Sequence, residues 1–272
     1  MTSDNPSQAT VAAGGSPRRL AGRSFLGRSL AAKIVVVALF LVVWHAAVAL
    51  WLPSYLPTPL GVASAFVPTL LSEKFQFAVV ESSLAIVVGL VIGATLGTVF
   101  GLLSGRMRWL RELMSPYING LYALPLLAIV PPVTIWLGYS GDARMALIIV
   151  AAFLPCAVST ADGARHVPAS LEDVVEVYRV STYRKFIDLV LPSSLPFVVA
   201  GLHVAVGRAI IAAVSVEFIA GLDGLGTFVL LNARSFHQDV AFVGVVVLAV
   251  FGGLARLAVV SALPKIAPWQ AN

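Results

Sequence analysis

The stretch DVVEVYRVSTYRKFIDLVLP, residues 173–192, decides the fold, because it is a polar, helix-compatible segment between two long apolar segments. Four basic side chains lie in the loop that contains it: Arg165, Arg179, Arg184 and Lys185. Lys and Arg accumulate in the cytoplasmic loops of membrane proteins. So long a polar loop between two spans is hard to explain unless a soluble partner binds there. The segment therefore predicts a cytosolic loop that docks such a partner.

Composition places most of the chain in a membrane. Hydrophobic residues make up 59% of the 272 residues and charged residues 11%, with a mean hydropathy of +0.94, whereas a soluble domain has about 25% charged residues. The net charge of +5 does not indicate a nucleic-acid partner. The basic residues flank apolar segments, as orientation in the bilayer and contact with lipid headgroups require. The single cysteine, Cys156, excludes a disulfide framework and a cysteine-based zinc site.

Six apolar segments predict an all-α, polytopic membrane protein, because lipid offers no hydrogen-bond partner to an open strand edge. A helix of about 20 residues crosses the bilayer, and the fourth segment, which is shorter, is expected to extend by a turn at each end. The segments are residues 32–52, 77–103, 117–137, 145–160, 195–220 and 240–263.

The distribution of Lys and Arg orients these spans. With the N-terminus in the cytosol, 13 of the 18 lie on the cytosolic side. Three lie outside (Lys74, Arg144 and Arg234) and two lie within spans (Arg208 and Arg256). This bias predicts six spans with both termini cytosolic. Residues 1–30, rich in Ser, Gly, Ala and Pro, predict a disordered cytosolic tail. Residues 31–268 form the predicted transmembrane domain, with a cytoplasmic loop at 161–194, and residues 269–272 form a short C-terminal tail.

A glycine recurs at every fourth position of the second span, and these residues lie near one stripe of the predicted helix. Small residues at this spacing let another helix backbone approach closely. Two interpretations stay open: tight packing within the chain, or an interface between subunits or at a gate. The stripe consists of Gly89, Gly93, Gly97, Gly101 and Gly105.

The third span is expected to be kinked or interrupted, because proline removes a backbone donor and clashes with the preceding turn. It contains Pro116, Pro125, Pro131 and Pro132. Broken helices often line a transport path, although a simple packing kink is the alternative. Three polar side chains of this span are weaker candidates for such a path: Asn119, Tyr122 and Thr134.

Three ionisable residues lie in the fifth span: His203, Arg208 and Glu217. A charge at mid-bilayer costs about 2.5–3.5 kcal/mol on insertion scales and should face protein or water. At 100° per residue His203 and Glu217 share one face of the helix and Arg208 lies opposite, so no pairing of Arg208 with Glu217 is expected. All three are candidates for a translocation path. The alternative makes Arg208 an interhelical or snorkelling group and Glu217 a structural residue.

Several short motifs follow one another at characteristic positions along the chain. They are Leu56-Pro57-Thr58-Pro59, Ala123-Leu124-Pro125-Leu126-Leu127-Ala128, Leu189-Val190-Leu191-Pro192, Ala200-Gly201-Leu202, Ser215-Val216-Glu217 and Gly221-Leu222-Asp223-Gly224-Leu225-Gly226. In this order the chain, over roughly residues 35–268, resembles the membrane permease subunits of bacterial type I ABC importers. The resemblance is to the branch serving nitrate, sulfonate, taurine and related small molecules. It implies a multi-pass protein of the bacterial cytoplasmic membrane that provides the path for a solute.

The resemblance also implies partners. A solute-binding protein would dock outside against loops such as 221–239, where the glycine-rich turn is expected to be mobile, and a second permease subunit, the same chain or a related one, would complete a dimer. The cytoplasmic loop would be the coupling helix that inserts into a cytosolic ATP-binding subunit, which would carry the ATP and Mg²⁺. The implied contacts of that loop are Asp173, Glu176, Arg179, Arg184, Lys185, Leu191 and Pro192.

The loop departs from the family's E-A-A…G pattern. Asp173, Val174 and Val175 stand at the Glu-Ala-Ala positions, and Arg179 stands where the family has a glycine. A glycine between two short helices commonly supplies a positive φ, which costs a residue with a Cβ about 1 kcal/mol. The turn is therefore expected to be made differently, or the first helix to run on. A heteromeric permease and ordinary sequence drift in a homodimer both remain open.

The chain itself has no ATP-binding signature. None of its four lysines follows a glycine, so no G-x-x-x-x-G-K-[ST] loop can cradle phosphates, and the chain is not expected to be an enzyme or to hold a cofactor or metal. An ion-gradient-driven secondary transporter or channel is the main alternative. It would show inverted repeats or spaced midplane carboxylates, which are not evident. An intramembrane enzyme acting on lipid would need a polar catalytic cluster, which is not evident either.

Overall fold

The computed structural model describes residues 22–51 and 56–266, and within these ranges every regular element is a helix. The predicted all-α fold class is confirmed. The elements are α1 (Gly22–Trp51), α2 (Pro59–Leu71), α3 (Glu73–Arg106), α4 (Arg108–Ala123), α5 (Leu126–Leu137), α6 (Gly141–Arg165), α7 (Ala169–Val177), α8 (Thr182–Arg184), a π-helix (Lys185–Val190), α9 (Leu191–Ala220), α10 (Leu225–Arg234) and α11 (Gln238–Ile266).

Residues 1–54 form a unit of their own, whose described part is α1. Its stretch Ala32–Leu50 is long and apolar enough to cross a bilayer. The helix begins at Gly22, so the last residues of the predicted disordered tail 1–30 are helical. Extending a helix outward from an apolar span costs far less than nucleating one. Residues 1–21, 52–55 and 267–272, which include the predicted C-terminal tail, lie outside the described part.

Residues 55–272 form the second unit, and its long helices match the predicted spans. In the described part of the chain five helices are long and apolar enough to cross a membrane, or six if the bent pair α4–α5 counts as one span. The helices outrun the apolar segments because polar residues cap their ends. Ser72, for example, accepts a hydrogen bond from the backbone N–H of Phe75 at 3.3 Å and begins α3 four residues before the predicted span.

Helix α2 was not predicted from the sequence, and the motif Leu56–Pro59 turns out to be its N-terminus. Thr58 caps the helix by accepting the N–H of Gly61 at 2.9 Å, and Pro59 occupies the first helical position. The backbone N–H of Thr58 also donates to Asp239 Oδ1 at 3.3 Å. This bond ties the start of α2 to the start of α11.

Helices α3, α6 and α9 form the core of the second unit. The glycine stripe of α3 packs on α6: a Cβ at Gly97 would lie 2.9 Å from Cys156 Cβ, and one at Gly101 would lie 2.7 Å from Thr160 Cβ. Gly93 and Gly97 also pass over backbone carbonyls of α6 too closely for any side chain. Of the two interpretations of the stripe, the structure shows packing within the chain.

The third span is interrupted, as its prolines predicted. Helix α4 ends at Ala123, Leu124 and Pro125 are extended, and α5 leaves at 104° to α4. Pro125 cannot supply the N–H that would continue α4, and it disfavours helical geometry at Leu124. The two half-helices are thus a broken span or a re-entrant segment, and the break opens a cavity toward α9.

Candidate functional site

The predicted cytoplasmic loop is two helical segments joined by a tight turn. Helix α6 continues to Arg165, α7 covers Ala169–Val177, and the chain is helical again from Thr182 onward. Residues 161–165 and 182–194 of the predicted loop therefore belong to helices that continue into the membrane core.

The turn after α7 is a Schellman motif with an arginine in the left-handed position. The N–H of Arg179 donates to the carbonyl of Glu176 at 3.0 Å, and the N–H of Val180 donates to that of Val175 at 3.1 Å. Arg179 has φ +48°. Both expectations for this position were wrong, because the helix does not run on and the turn keeps the geometry a glycine would give. The arginine accepts the left-handed conformation at a cost of roughly 1–2 kcal/mol.

An ion-pair cluster fastens α7 to the transmembrane helices. The carboxylate of Glu172 accepts from Arg106, the last residue of α3, at 2.9 Å and lies 3.7 Å from Lys185 Nζ. Val175 and Phe186 also pack on a buried cluster at this end of the bundle. These contacts tie α7 to the end of α3 and to the π-helix that precedes α9. This buried cluster is hydrophobic and consists of Leu102, Ala164, Val167, Leu189 and Val190.

The outer face of the loop is exposed and partly apolar. Val177, Tyr178 and Tyr183 are each exposed by three quarters or more. Of the predicted docking residues, four are exposed in the same region: Asp173, Glu176, Arg179 and Arg184. This aromatic and aliphatic tip was not among the predicted docking residues, although its tyrosines stand out in the sequence as large apolar groups in a polar loop.

Three of the predicted docking residues have roles inside the chain instead. Lys185 pairs with Glu172, and Leu191 packs on the buried cluster beneath the loop. Pro192 lies in the first turn of α9, directly after the π-helix. Because proline has no N–H and crowds the preceding turn, the helix widens there, and the N–H of Leu191 reaches back five residues to Phe186 at this point.

The cavity at the break of the third span is lined by one positively charged side chain. It has a volume of about 330 Å³ and lies between the α4–α5 break, α6 and the middle of α9. Arg208 lines it, with its guanidinium carbon 4.0 Å from the centre of the Tyr122 ring. This is a cation–π contact. The structure therefore brings together two of the predicted path residues that lie 86 positions apart in the sequence.

Glu217, expected to face a path, is fully enclosed in this structure. Its carboxylate accepts hydrogen bonds from Ser82 Oγ and from the backbone N–H of Gly226, each at 2.7 Å. Arg144 Nη1 lies 3.4 Å away and completes an ion pair. The side chain is 0% exposed. These surroundings are those of a structural residue, which was the alternative to a role in the translocation path.

Arg144 was assigned to an exterior loop in the sequence analysis, but it lies in the first turn of α6 and is 9% exposed. Its guanidinium joins three elements: it donates to Glu217 on α9, to Glu81 on α3 at 3.2 Å and to the carbonyl of Asp223 at 2.8 Å. No local pattern marks this role, because the partners lie 63–79 residues away in the sequence.

The glycine-rich turn packs closely against this network, and its expected mobility stays a prediction. A Cβ at Gly224 would collide with the Glu217 carboxylate, and one at Gly226 would lie 2.9 Å from Glu217 Oε2. The N–H of Leu225 donates to Ser82 Oγ at 2.7 Å. The glycines are therefore needed for close approach to the carboxylate, while Gly221, at φ +66°, ends α9.

The remaining path candidates are dispersed. Thr134 is fully buried and its hydroxyl donates within its own helix, to the carbonyls of Val130 and Pro131. Asn119 lines a separate cavity between α3, α4 and α6 and bonds Ser115 at 3.1 Å. His203 lies beside Arg256 in a third cavity, and its buried Nε2 has no partner among the described residues.

Over the described residues the structure is an all-helical bundle with a broken span and a loop anchored to it by ion pairs, as expected for the membrane subunit of an ABC importer. Residues 93–267 match the family described as "Binding-protein-dependent transport system inner membrane component", and the chain belongs to that family. The resemblance stated from the motifs is confirmed, and the chain is a non-enzymatic, multi-pass inner-membrane permease that provides the path for a solute from a binding protein. An ion-gradient-driven transporter does not fit this family.

Named relatives are similar over most of their length. The putative aliphatic sulfonates transport permease protein SsuC of Escherichia coli is 32% identical over 216 residues, covering 78% of this chain and 82% of its own. Its Bacillus subtilis counterpart is 28% identical over 240 residues, 87% of each chain. The taurine transport system permease protein TauC of Escherichia coli is 27% identical over 260 residues, 93% of this chain and 94% of its own.

A solved structure supports the fold. The chain resembles a subunit of a bacterial alginate ABC transporter, in complex with a periplasmic protein bound to an alginate pentasaccharide, with a TM-score of 0.60. The match covers 89% of this chain and 95% of the other at 14% identity. At that identity the likeness is one of fold.

Proposed function

We propose that this chain pairs with a second permease subunit, and that one cytosolic ATP-binding subunit docks on loop 169–184 of this chain while another docks on its partner. ATP and Mg²⁺ bind to the ATP-binding subunits. When these two subunits close on ATP, they move the loop. The observation that carries the proposal is the combination of an exposed apolar tip at Val177, Tyr178 and Tyr183 with the anchoring of α7 to α3 and α9. Exposed aromatic residues ringed by charges are typical of protein interfaces.

The orientation follows from the same proposal. A loop that docks cytosolic subunits places the inner ends of α3, α6 and α11 in the cytosol, as the distribution of basic residues predicts. Both chain termini are then cytosolic. The glycine-rich turn 221–226 and the α10–α11 connection face the periplasm, where the binding protein arrives.

The coupling mechanism is alternating access. Docked ATP-binding subunits that close on ATP draw the two coupling loops together, and Glu172 conveys that displacement to Arg106 and Lys185. The path then opens toward the binding protein, and hydrolysis resets it. This chain transmits motion and encloses the path, and the partner subunits carry out the chemistry.

The docking surface is tested by co-expression with the ATP-binding subunit and purification through a tag on this chain. Val177→Asp and Arg184→Glu alter exposed side chains of the tip and should weaken co-purification about tenfold, as loss of an interface anchor does. Arg108→Glu is the matched control, because Arg108 is an exposed arginine outside the loop. Equal losses in all three variants, or no loss in the first two, would place the dock elsewhere.

The solute we propose is a small organic sulfonate. The support is the similarity, at 27–32% identity, to permeases named for aliphatic sulfonates and taurine. ATP-driven uptake of butanesulfonate into proteoliposomes containing the full complex and its binding protein tests this. Uptake of an uncharged solute in preference to all sulfonates would refute it.

A further inference from the structure

The guanidinium of Arg208, midway along α9, is a charge that the described part of the chain leaves uncompensated. Among the described residues no carboxylate lies within ion-pair distance of it and none accepts a hydrogen bond from it; its contact is the face of Tyr122. Arg144, by contrast, is held by two carboxylates and a carbonyl. A guanidinium has five N–H donors, and charged groups within membrane spans generally pair or face a functional cavity.

The cavity beside Arg208 has the size and lining of a small-molecule site. Its volume of about 330 Å³ is within the range of ligand pockets. Apart from Arg208 and the hydroxyl of Tyr122, its side chains are apolar, and none is acidic. They come from both half-helices of the broken span and from α6 and α9. Such a lining suits a molecule with one negative charge and an apolar body.

The stacking on Tyr122 orients the arginine for this role. A ring contact 4.0 Å from the guanidinium carbon occupies the face of the group and leaves its N–H edge available. That edge can donate two parallel hydrogen bonds to a planar or tetrahedral oxyanion. Lysine would keep the charge without the paired geometry.

The broken span adds a second positive feature to the same cavity. Helix α5 begins at Leu126 with no side-chain cap, and Leu124, Pro125 and Leu126 all line the cavity. The N-terminus of a helix carries a partial positive charge and unpaired N–H groups. It therefore favours the same sign of ligand charge as Arg208.

We propose that this cavity is a binding site for the solute within the membrane, and that Arg208 selects monovalent organic anions there, of the sulfonate or carboxylate kind. This rests on the proposed function, since a site of this kind lies on the translocation path. A dianion such as sulfate would leave one charge uncompensated in an apolar cavity, and a cation would be repelled. Tyr122 positions Arg208, and the apolar lining contacts the body of the solute.

The test uses a thiol probe that needs neither the ATP-binding subunit nor the natural solute. Ala123, an exposed residue lining the cavity, is changed to cysteine in full-length protein carrying Cys156→Ala. Rates of modification are then compared for the anionic reagent 2-sulfonatoethyl methanethiosulfonate and the cationic reagent 2-(trimethylammonio)ethyl methanethiosulfonate. Arg208→Gln should lower the anion-to-cation rate ratio about tenfold or more, and Arg208→Lys should largely preserve it.

Arg256→Gln is the matched control, because Arg256 is also an arginine in the middle part of a predicted span but lines a different cavity. It should leave the ratio unchanged. An unchanged ratio in Arg208→Gln, or an equal fall in Arg256→Gln, overturns the proposal. Because the assay needs no ATP-binding subunit, it can fail while docking succeeds, and the reverse also holds.

A second measurement keeps Arg208 in place, in case its replacement prevents folding. Millimolar butanesulfonate should slow modification of the Ala123→Cys protein by the neutral reagent methyl methanethiosulfonate at least threefold. Sulfate and butyltrimethylammonium should not. Absence of protection by butanesulfonate, or equal protection by all three, overturns the assignment of the cavity as a site for monovalent organic anions.

Discussion

Replacing Glu217 by glutamine should destabilise the protein through a defined set of lost interactions. The carboxylate accepts from Ser82 and Gly226 at 2.7 Å and pairs with Arg144 at 3.4 Å, in full enclosure. A glutamine keeps one acceptor oxygen, but its NH₂ group then faces one of the two donors, Ser82 Oγ–H or the N–H of Gly226, and cannot accept from it. Arg144 also loses one of its two carboxylate partners. One unsatisfied buried donor costs about 1–3 kcal/mol, and weakening charge-assisted bonds raises the total to roughly 2–4 kcal/mol.

The assay is the melting temperature of the detergent-solubilised protein, measured beside reconstituted uptake. At about 2–4 °C per kcal/mol for a chain near this size, Glu217→Gln should lower the melting temperature by about 4–16 °C. Glu217→Ala should lower it further, because it leaves three donors without an acceptor. This ordering distinguishes the structural role from a role of the charge in transport, for which the two variants would behave alike.

Glu81→Gln is the control, because Glu81 binds the same arginine but its side chain is 37% exposed, so water replaces its lost bond. Its melting temperature should stay within a few degrees of the wild type. A Glu217→Gln protein that melts like the wild type while uptake is lost would refute the reasoning and return Glu217 to the path.

Three further outcomes are expected. Arg179→Gly should keep co-purification of the ATP-binding subunit and relieve roughly 1 kcal/mol of left-handed strain; loss of assembly in this variant alone would make the arginine itself the contact. Gly97→Ala should lower the melting temperature strongly, because its Cβ meets a backbone carbonyl of α6, whereas Gly207→Ala, with nothing within 4 Å, should not; similar values for both would contradict the packing described. In Cys156→Ala protein, Ser235→Cys should react with a membrane-impermeant maleimide from the periplasm and Ser170→Cys after permeabilisation; periplasmic labelling at Ser170 would remove the docking loop from the cytosol. Both serines are exposed, so a cysteine at either position is accessible to the reagent from its own side of the membrane.

The parts of this fold legible in the sequence are those fixed by local composition. Apolar segments of membrane length predicted the spans. Pro125 predicted the break, because proline lacks the N–H that would continue the hydrogen bonding of the helix before it. Helix α2 was not predicted, since its 13 residues are too few to cross a bilayer and so do not form an apolar segment of membrane length. The glycine stripe was legible as a pattern, but only the structure shows that its partner is α6.

The site residues that escaped prediction depend on distant parts of the chain. Arg144 looked like a loop cation, because its carboxylate partners lie 63 and 73 positions away. Glu172 was not singled out, since its role in anchoring α7 depends on an ion pair with Arg106, the final residue of another helix. The conformation of Arg179 was misjudged because the penalty for a positive φ is small enough for two backbone hydrogen bonds to outweigh it.

The uninterrupted helical run Thr182–Ala220 has a mechanical meaning. Thirty-nine residues at 1.5 Å each make a rod about 58 Å long, almost twice the thickness of the hydrocarbon core. One end abuts the cytosolic turn, the other is clamped by the buried carboxylate beneath the glycine turn, and Arg208 sits between them. The six residues of the π-helix, Lys185–Val190, interrupt the regular α-helical geometry of this rod near the docking loop. Under the proposed coupling, a movement that starts at the docking loop must pass through these six residues before it reaches Arg208, so their stiffness would set how far Arg208 moves relative to Tyr122.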